Sequence, residues 1–435
     1  MLENRIYVGD IIKMTASKFV KNVSWIFIGN VAHAALQFLL NILVARRFGS
    51  ADYGLINYGA SLIAFFSTIC TLGFNGVITK SFVENEDKSW TYLSSAIILR
   101  CIASLISIVL LQGLIQIANP NESRMQVVIL FQSFGILFSA FDLFVYWFQY
   151  KQQAKYVAII RLAAFAVSAL WRIFAVFIFE SIEAYVAGAS AETAFYAVFL
   201  YCLYWKCSGF KHPIFDWSLL KKLLSTSYPF IFASILTVIY MQTDKIMLQK
   251  MIDSSAVGLY SVSQTLAGAV SVIPVALIEG FRPDIMHYKV NNDEMYRKRL
   301  MQLYGIVFWV CIAYCLFITT CSRQIIGILY GSEYIDAASS LSVIVWYTSF
   351  SYFGAINNLY LIAEAKTKWV QLLTLIGAVM NIVLNAILIP RFGIIGAAAA
   401  SLATQFVANF VMIYLFRPLR ECFYLMIRGI AFRLG

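Results

Sequence analysis

Apolar runs of about 20 residues recur from one end of the chain to the other, and about 20 residues cross a hydrocarbon core near 30 Å thick. They lack the short alternation of outer-membrane strands, so they predict helices. The pattern predicts an all-α, polytopic membrane protein with about 12 transmembrane helices in two pseudo-symmetric six-helix lobes around a central cavity. The expected spans are approximately 20–45, 54–74, 90–118, 125–149, 156–179, 183–205, 223–247, 256–280, 300–321, 337–362, 369–389 and 394–416.

Polar residues interrupt four of these spans at helical spacing, which places them on one face of each helix. The four stripes are Asn30, His33, Gln37 and Asn41; Asn57, Ser61 and Thr68; Ser234, Thr237, Met241 and Lys245; and Ser261, Gln264, Thr265, Gly268 and Ser271. One interpretation is hydrogen bonding between membrane helices, which is common. For the set as a whole we favour a hydrated cavity that binds substrate.

A repeat relates the two halves of the chain. A shift of 204 residues places Gly54 on Gly258, Leu55 on Leu259 and Leu62 on Leu266, and the shift carries the first stripe onto the third. Six spans separate the copies, so we expect parallel repeats.

The predicted domains follow from this repeat. They are an N-terminal lobe over 1–205, a cytoplasmic linker over 206–222, a C-terminal lobe over 223–417 and a tail over 418–435. The tail is short and basic, so we expect an interfacial amphipathic helix, with a partly disordered end as the alternative.

Composition and charge agree with a membrane protein. The chain is 61% hydrophobic and 13% charged, whereas soluble proteins are about 25% charged. The net charge of +11 comes from basic residues that favour alternate loops by about three to one, which is the positive-inside bias. We therefore expect a multi-pass inner (plasma) membrane protein with both termini cytoplasmic, no cleaved signal peptide and no nucleic-acid partner.

No catalytic or cofactor motif appears in the sequence. The eight cysteines form no CxxC pair and the histidines number three, so we expect neither a metal site nor a cofactor. Nucleotide-binding loops and hydrolase signatures are also absent from the sequence. We therefore expect a protein that is not an enzyme and does not use ATP directly.

Charged residues within predicted spans include Arg100, Asp142, Arg161 and Arg172. A charge at the bilayer centre costs about 2.5–3.5 kcal/mol on insertion scales, so such residues are often functional. Arg161 and Arg172 share one helix face about 16 Å apart, and guanidinium groups suit an anionic substrate such as a diphosphate. The alternatives are a structural pair with Asp142 or, for Arg161, a side chain that reaches the inner interface.

An acid and a base are adjacent near the outer end of the seventh span, at Asp244 and Lys245. Neighbouring helical residues point about 100° apart, so the two cannot simply pair. Lys245 shares the face of Thr237 and is expected at the mouth of the cavity, whereas Asp244 is expected to bind a neighbouring helix. If an ion gradient drives transport, the coupling candidates besides His33 are Asp142, Asp244, Glu279 and Glu364.

Several stretches resemble bacterial polysaccharide transporters of the multidrug/oligosaccharidyl-lipid/polysaccharide (MOP) exporter superfamily. They are "LVARRFGSADYGLINY", "TDKIMLQKMIDSSAVGLYSVSQTL", "ILYGSEYIDAASSL", "NNLYLIAEAKTKW" and "NIVLNAILIPRFGIIGAAAAS", in family order. The resemblance implies two lobes and alternating access. It also implies an undecaprenyl-diphosphate-linked oligosaccharide as substrate, flipped to the periplasmic leaflet, as in O-antigen or capsule repeat-unit flippases. A polysaccharide polymerase and a chain-length regulator would be possible partners.

Three functions are compatible with a chain of this class. A lipid-linked oligosaccharide flippase suits the polar stripes, the membrane arginines and the 16% aromatic content. A cation-coupled multidrug exporter of the same superfamily would favour an acidic cavity, and the arginines argue against it. A membrane enzyme such as a polymerase would need a large outer loop, and every predicted outer loop is short. We therefore favour the flippase.

Overall fold

The computed structural model describes residues 2–209 and 212–431, with side chains described from residue 29 onward except at positions 30 and 76. This part of the chain is almost wholly helical and has no strand, which confirms the predicted fold class. The helices are α1 Leu2–Cys70, α2 Ile78–Glu84, α3 Ser89–Ala118, α4 Ser123–Phe138, α5 Leu143–Tyr150, α6 Ala154–Phe177, α7 Ile182–Ser208, α8 Trp217–Met251, α9 Ser254–Gly268, α10 Val272–Asn291, α11 Asp293–Leu329, α12 Ala337–Ala363, α13 Thr367–Phe406, α14 Met412–Leu415 and α15 Arg420–Ile430.

Within the described residues, nine helical stretches are long and apolar enough to cross a membrane. Two of them break at a glycine with positive φ, α1 at Gly49 (81°) and α13 at Gly393 (59°). Residues with a Cβ rarely adopt that conformation, so glycine permits each break. Each break leaves two arms of roughly 20 residues or more, enough to span a bilayer, when the second arm of α13 is counted through the following π-helical turn and α14 to Leu415. The seven unbroken stretches, the four arms and α12, which has 27 residues, together account for the twelve predicted spans.

The chain forms two compact units that differ from the predicted domains. The N-terminal unit comprises Met1–Val44 and Leu62–Ile235, and the C-terminal unit comprises Ala45–Ser61 and Leu236–Gly435. The prediction followed chain order, whereas the stretch 45–61 packs within the C-terminal unit and α8 is divided between the units. Tertiary contacts decide this division, and the sequence pattern did not contain them.

Two glycines related by the 204-residue shift meet in the C-terminal unit. A Cβ on Gly54 would lie 1.6 Å from the carbonyl oxygen of Ser254, and a Cβ on Gly258 would lie 2.1 Å from that of Ser50. The same shift maps Ser50 onto Ser254 and Gly54 onto Gly258, so it exchanges the two contacts. Reciprocal contacts of this kind are typical of a two-fold interface. Each glycine therefore lets the backbone of the other copy approach.

The break of α1 at Gly49 is held by a second stretch that carries the family resemblance. The Arg46 Nη2 atom donates to the Ile328 carbonyl at 2.9 Å, and the Ser50 amide donates to Glu333 Oε1 at 2.6 Å. The Tyr334 hydroxyl donates to the Ala45 carbonyl at 3.0 Å. These contacts stabilise the break at Gly49, so the two stretches have a structural role in the C-terminal unit.

The described part of the predicted linker is hydrogen-bonded to the start of α3. The Ile214 amide donates to Ser94 Oγ at 2.8 Å, and Ser95 Oγ donates to the Ile214 carbonyl at 3.1 Å. The Trp90 indole donates to the His212 carbonyl at 2.9 Å. The described part of the linker therefore belongs to the N-terminal unit.

The tail forms the amphipathic helix α15, and its buried face packs on protein. Cys422, Leu425, Met426 and Gly429 are buried, and a Cβ on Gly429 would lie 2.4 Å from the Met301 carbonyl oxygen of α11. The expected interfacial helix therefore lies against α11, and the alternative of a disordered end does not hold over Arg420–Ile430.

Candidate functional site

Five polar side chains of the N-terminal unit form what we call the α1–α6–α7 cluster: His33, Gln37 and Asn41 of α1, Arg172 of α6 and Glu192 of α7. Arg172 donates through Nη2 to Glu192 Oε2 and through Nη1 to Gln37 Oε1, the latter at 3.0 Å. His33 Nε2 lies 2.8 Å from Glu192 Oε1, and Gln37 Nε2 donates to Asn41 Oδ1 at 3.0 Å. The predicted stripe and the predicted arginine therefore meet, with Glu192 between them.

Solvent exposure differs across the cluster, with Arg172 buried and His33 partly exposed. The Arg172 side chain is 3% exposed, that of Glu192 17% and that of His33 29%. The Arg172 guanidinium also lies over Phe165 and Tyr185, with its carbon 5.8 and 5.9 Å from the ring centres. Removing one partner of a buried ion pair costs about 3–5 kcal/mol because the other charge is left uncompensated. Arg172 and Glu192 therefore depend on each other.

This geometry sets the chemistry that the cluster can perform. The charges of Arg172 and Glu192 cancel within the pair. In this conformation Arg172 is occupied by Glu192 and Gln37, so it is not an open cationic wall. An anion would bind Arg172 by displacing Glu192.

The other two predicted arginines lie in different surroundings. Arg100 of α3 is 1% exposed, and its Nε and Nη1 atoms have no hydrogen-bond partner within the described chain. Arg161 of α6 lies over Tyr196, with its guanidinium carbon 5.4 Å from the ring centre. The charges of both arginines act on Asp142, which ends a 3₁₀ turn between α4 and α5. Asp142 and the two arginines thus form a second charged group in the N-terminal unit.

Four other predicted substrate-binding residues, Asn57, Ser61, Thr237 and Gln264, belong to the C-terminal unit. Asn57 and Ser61 bond to carbonyls of their own helix, at 2.8 and 2.9 Å, as polar residues in helices often do. Thr237 lines a cavity in the C-terminal unit, and Gln264 is half-buried on α9. The side chain of Asn30 lies outside the part that the structure describes.

Asp244 is 3% exposed and is surrounded by hydrogen-bond donors from α9 and α13. Its Oδ1 accepts from Asn381 at 3.1 Å and from Asn385 at 2.6 Å. Its Oδ2 accepts from Ser401 at 2.5 Å and from the Tyr260 hydroxyl. Asp244 therefore ties α8 to α9 and α13, as expected of an acid that binds neighbouring helices, while its neighbour Lys245 is half-buried.

The two other coupling candidates are ion-paired with basic side chains. Glu279 binds Arg282 one turn along α10 at 2.7 Å, and its side chain is 56% exposed. Glu364 pairs with Lys289, and its side chain is 19% exposed. Exposed pairs contribute little, which sets Glu279 apart from the less exposed acids Glu364, Glu192, Asp142 and Asp244.

The sequence reasoning missed Glu192, Asn381 and Asn385. Glu192 is a carboxylate inside the apolar run 183–205, so the rule that flagged the arginines would also have found it. Asn381 and Asn385 are one helical turn apart within a quoted stretch, "NIVLNAILIP". Their spacing was a signal for a shared partner, but only the fold shows that the partner is Asp244.

Two models of known protein families match parts of this chain. A family model described as "Polysaccharide biosynthesis protein" matches residues 19–279, which is more than half of the chain. The chain belongs to this family. A second model, described as MatE, matches residues 229–387. Both agree with the predicted MOP-superfamily resemblance, which is confirmed.

Two relatives from curated proteins match this chain over most of its length. The "Probable low-salt glycan biosynthesis flippase Agl15" of Haloferax volcanii is 25% identical over 89% of this chain and 81% of its own. The "Capsular polysaccharide biosynthesis protein CapF" of Staphylococcus aureus is 21% identical over 92% of this chain and 99% of its own.

Several solved structures have a fold similar to that of this chain. The lipid II flippase MurJ in an inward closed conformation gives a TM-score of 0.73 at 13% identity, over 93% of this chain and 90% of MurJ. An inward-facing multidrug resistance MATE family transporter of the MOP superfamily gives a TM-score of 0.65 at 13% identity, over 91% of this chain and 96% of the transporter. At such identities the likeness establishes the shared fold.

Proposed function

We propose that this protein is a flippase that moves a lipid-linked oligosaccharide from the cytoplasmic to the periplasmic leaflet by alternating access, without making or breaking a bond. The proposed substrate is an undecaprenyl-diphosphate-linked repeat unit of an O-antigen or a similar surface polysaccharide, and the proposed location is the inner membrane with both termini cytoplasmic. Membership of the polysaccharide biosynthesis family supports the glycan pathway. The names of its relatives in glycan and capsule synthesis support it as well.

The observation that carries the proposal is the buried α1–α6–α7 cluster. Ionisable groups inside membrane helices are costly and mark substrate or ion pathways. Arg172 is bound by Glu192, which also contacts the partly exposed His33. An anion that enters this site can replace the Glu192 carboxylate on Arg172. Guanidinium groups bind phosphate oxygens in bidentate geometry. The diphosphate of the carrier lipid is the anion that we propose for this exchange.

The cellular test is a lipid extract from cells that lack this chain, compared with cells in which it is restored. We expect polyprenyl-diphosphate-linked repeat units to accumulate on the cytoplasmic side and the surface glycan to be lost. Mass spectrometry of the accumulated lipid would then identify the sugars. Unchanged lipids together with normal surface glycan would contradict the proposed function.

A second candidate function is cation-coupled export of drugs. The MatE match over 229–387 and the buried carboxylate of Asp244 favour it. Export of cationic dyes that depends on a sodium or proton gradient and is lost with Asp244→Asn would support this function. The buried arginines of the N-terminal unit favour an anionic substrate, so we rank the flippase first.

A further inference from the structure

The C-terminal unit contains a cavity of about 240 Å³ between α8, α12, α13 and the π-helical turn Val407–Val411. Of the described residues that line it, none is charged, but many carry hydroxyl or amide groups. The residues that matter here are Tyr240, Tyr347, Asn357, Asn358, Gln405 and Asn409. A polar but uncharged cavity inside a membrane unit indicates a neutral ligand that forms hydrogen bonds.

The amides of this cavity are held in place by the fold. Asn357 accepts from the Tyr304 hydroxyl at 2.6 Å and donates to the Asn409 carbonyl at 3.0 Å. Asn409 in turn donates to Gln405 Oε1. A Cβ on Gly354 would lie 2.6 Å from Asn409 Oδ1, so the glycine makes room for this amide. Asn409 lies in the π-helical turn, a feature that is frequent at functional sites.

One buried group in the cavity wall lacks a partner. The Tyr240 hydroxyl is shielded from solvent and, although Gln405 lies beside it, makes no hydrogen bond of regular geometry within the described chain. Most buried polar groups in proteins are paired, so an unpaired one calls for an explanation. Tyr240 lines the cavity, and a ligand hydroxyl that reaches the Tyr240 hydroxyl group would supply the missing partner.

We propose that this cavity binds one uncharged sugar ring of the transported glycan, an inference that rests on the proposed flippase function. Amides match the donor and acceptor pattern of sugar hydroxyls, and the Tyr240 and Tyr347 rings offer apolar faces with a polar tip. The volume corresponds to roughly eight waters at about 30 Å³ each, which suits one ring rather than an oligosaccharide. The lack of charge argues against a diphosphate or a cationic drug.

The test uses the purified full chain in detergent micelles and saturation-transfer NMR. The probes are N-acetylglucosamine and glucose, and tetraphenylphosphonium serves as a cationic comparison. The test variant is Tyr240→Phe, which removes only the unpaired hydroxyl. The matched control is Tyr330→Phe, because the Tyr330 hydroxyl is also buried without a partner in the described chain, and Tyr330 is outside the cavity lining.

We expect at least one of the two sugars to bind, and Tyr240→Phe to weaken its binding about tenfold, the effect of one lost hydrogen bond. The melting temperature should not fall in either variant, and Tyr330→Phe should bind as the unmodified chain does. Gln405→Leu, which replaces a lining amide, should weaken binding as well. Equal binding in all variants, no binding of either sugar, or binding of the cation instead would overturn the inference.

Different results would contradict the cavity assignment and the proposed function. If cells that lack the chain accumulate lipid-linked glycan but the cavity variants bind sugar normally, the cavity assignment alone is wrong. If no lipid accumulates, the flippase proposal is wrong, whatever the NMR experiment shows.

Discussion

Arg172 and Glu192 are two opposite charges buried within the same membrane unit, and their roles in stability and transport can be separated. We predict that Arg172→Gln or Glu192→Gln alone lowers the free energy of unfolding by about 3–5 kcal/mol, because each leaves one buried charge uncompensated. The double variant should recover most of that stability, since both charges are gone. It should still fail to transport, because the guanidinium is absent.

The two measurements for this pair are thermal unfolding in detergent and surface glycan at matched protein levels. A double variant that is stable and displays normal glycan would show that the pair is structural. Gln249→Ala serves as a control for general effects of substitution, because Gln249 accepts a hydrogen bond from the nearby Ser254 hydroxyl at 3.0 Å.

Asp244 gives a second prediction for a single residue. Asp244→Asn should destabilise the protein by about 2–4 kcal/mol, because an amide nitrogen would face donors that now bind a carboxylate oxygen. The control is Asp284→Asn, which removes the same charge from a side chain that is 55% exposed. Thermal unfolding should separate the two variants, and equal melting temperatures would contradict the structural role given to Asp244.

Single residues also show what the sequence could and could not predict. Arg172, His33 and Gln37 were found because charge and helical spacing in an apolar run are local properties. Their shared partner, Glu192, follows the same rule and was predictable. The donors of Asp244 were not, because α13 reaches Asp244 only through the fold of the C-terminal unit.

At the level of elements, the reciprocal contact of Gly54 and Gly258 makes a strong prediction. Gly258→Ala should prevent stable folding or remove several kcal/mol of stability, because the new Cβ would lie 2.1 Å from the Ser50 carbonyl oxygen. Gly268→Ala is the matched control, since it lies on the same helix and its Cβ would meet no atom within 4 Å. It should be neutral or stabilising, because alanine favours helix over glycine by about 1 kcal/mol.

Protein level in the membrane and thermal unfolding measure this difference. Two variants of equal stability would contradict the close approach of the two repeats. The contact also explains why the repeat was visible in the sequence: the fold requires a glycine at the same place in each copy.

For the whole molecule, the sequence predicted the class and the number of spans because span length is set by the thickness of the bilayer. It did not predict the two compact units, since the stretch 45–61 joins the C-terminal unit through contacts with Glu333, Ile328 and Ser255. The family resemblance was correct, but the stretches that carry it include the contacts around Gly49 and Asp244. Those contacts stabilise the fold, so the resemblance identifies the fold more firmly than the substrate.

The most direct test of the flippase account is transport by the purified chain in liposomes. The substrate would be the lipid-linked repeat unit from cells that lack the protein, and a membrane-impermeant reagent would modify only the glycans on the outer leaflet. We predict that the chain makes nearly all of the lipid accessible, whereas the Arg172→Gln/Glu192→Gln double variant leaves only the outer-leaflet share modified. An accessible fraction equal to that of empty liposomes would contradict the account.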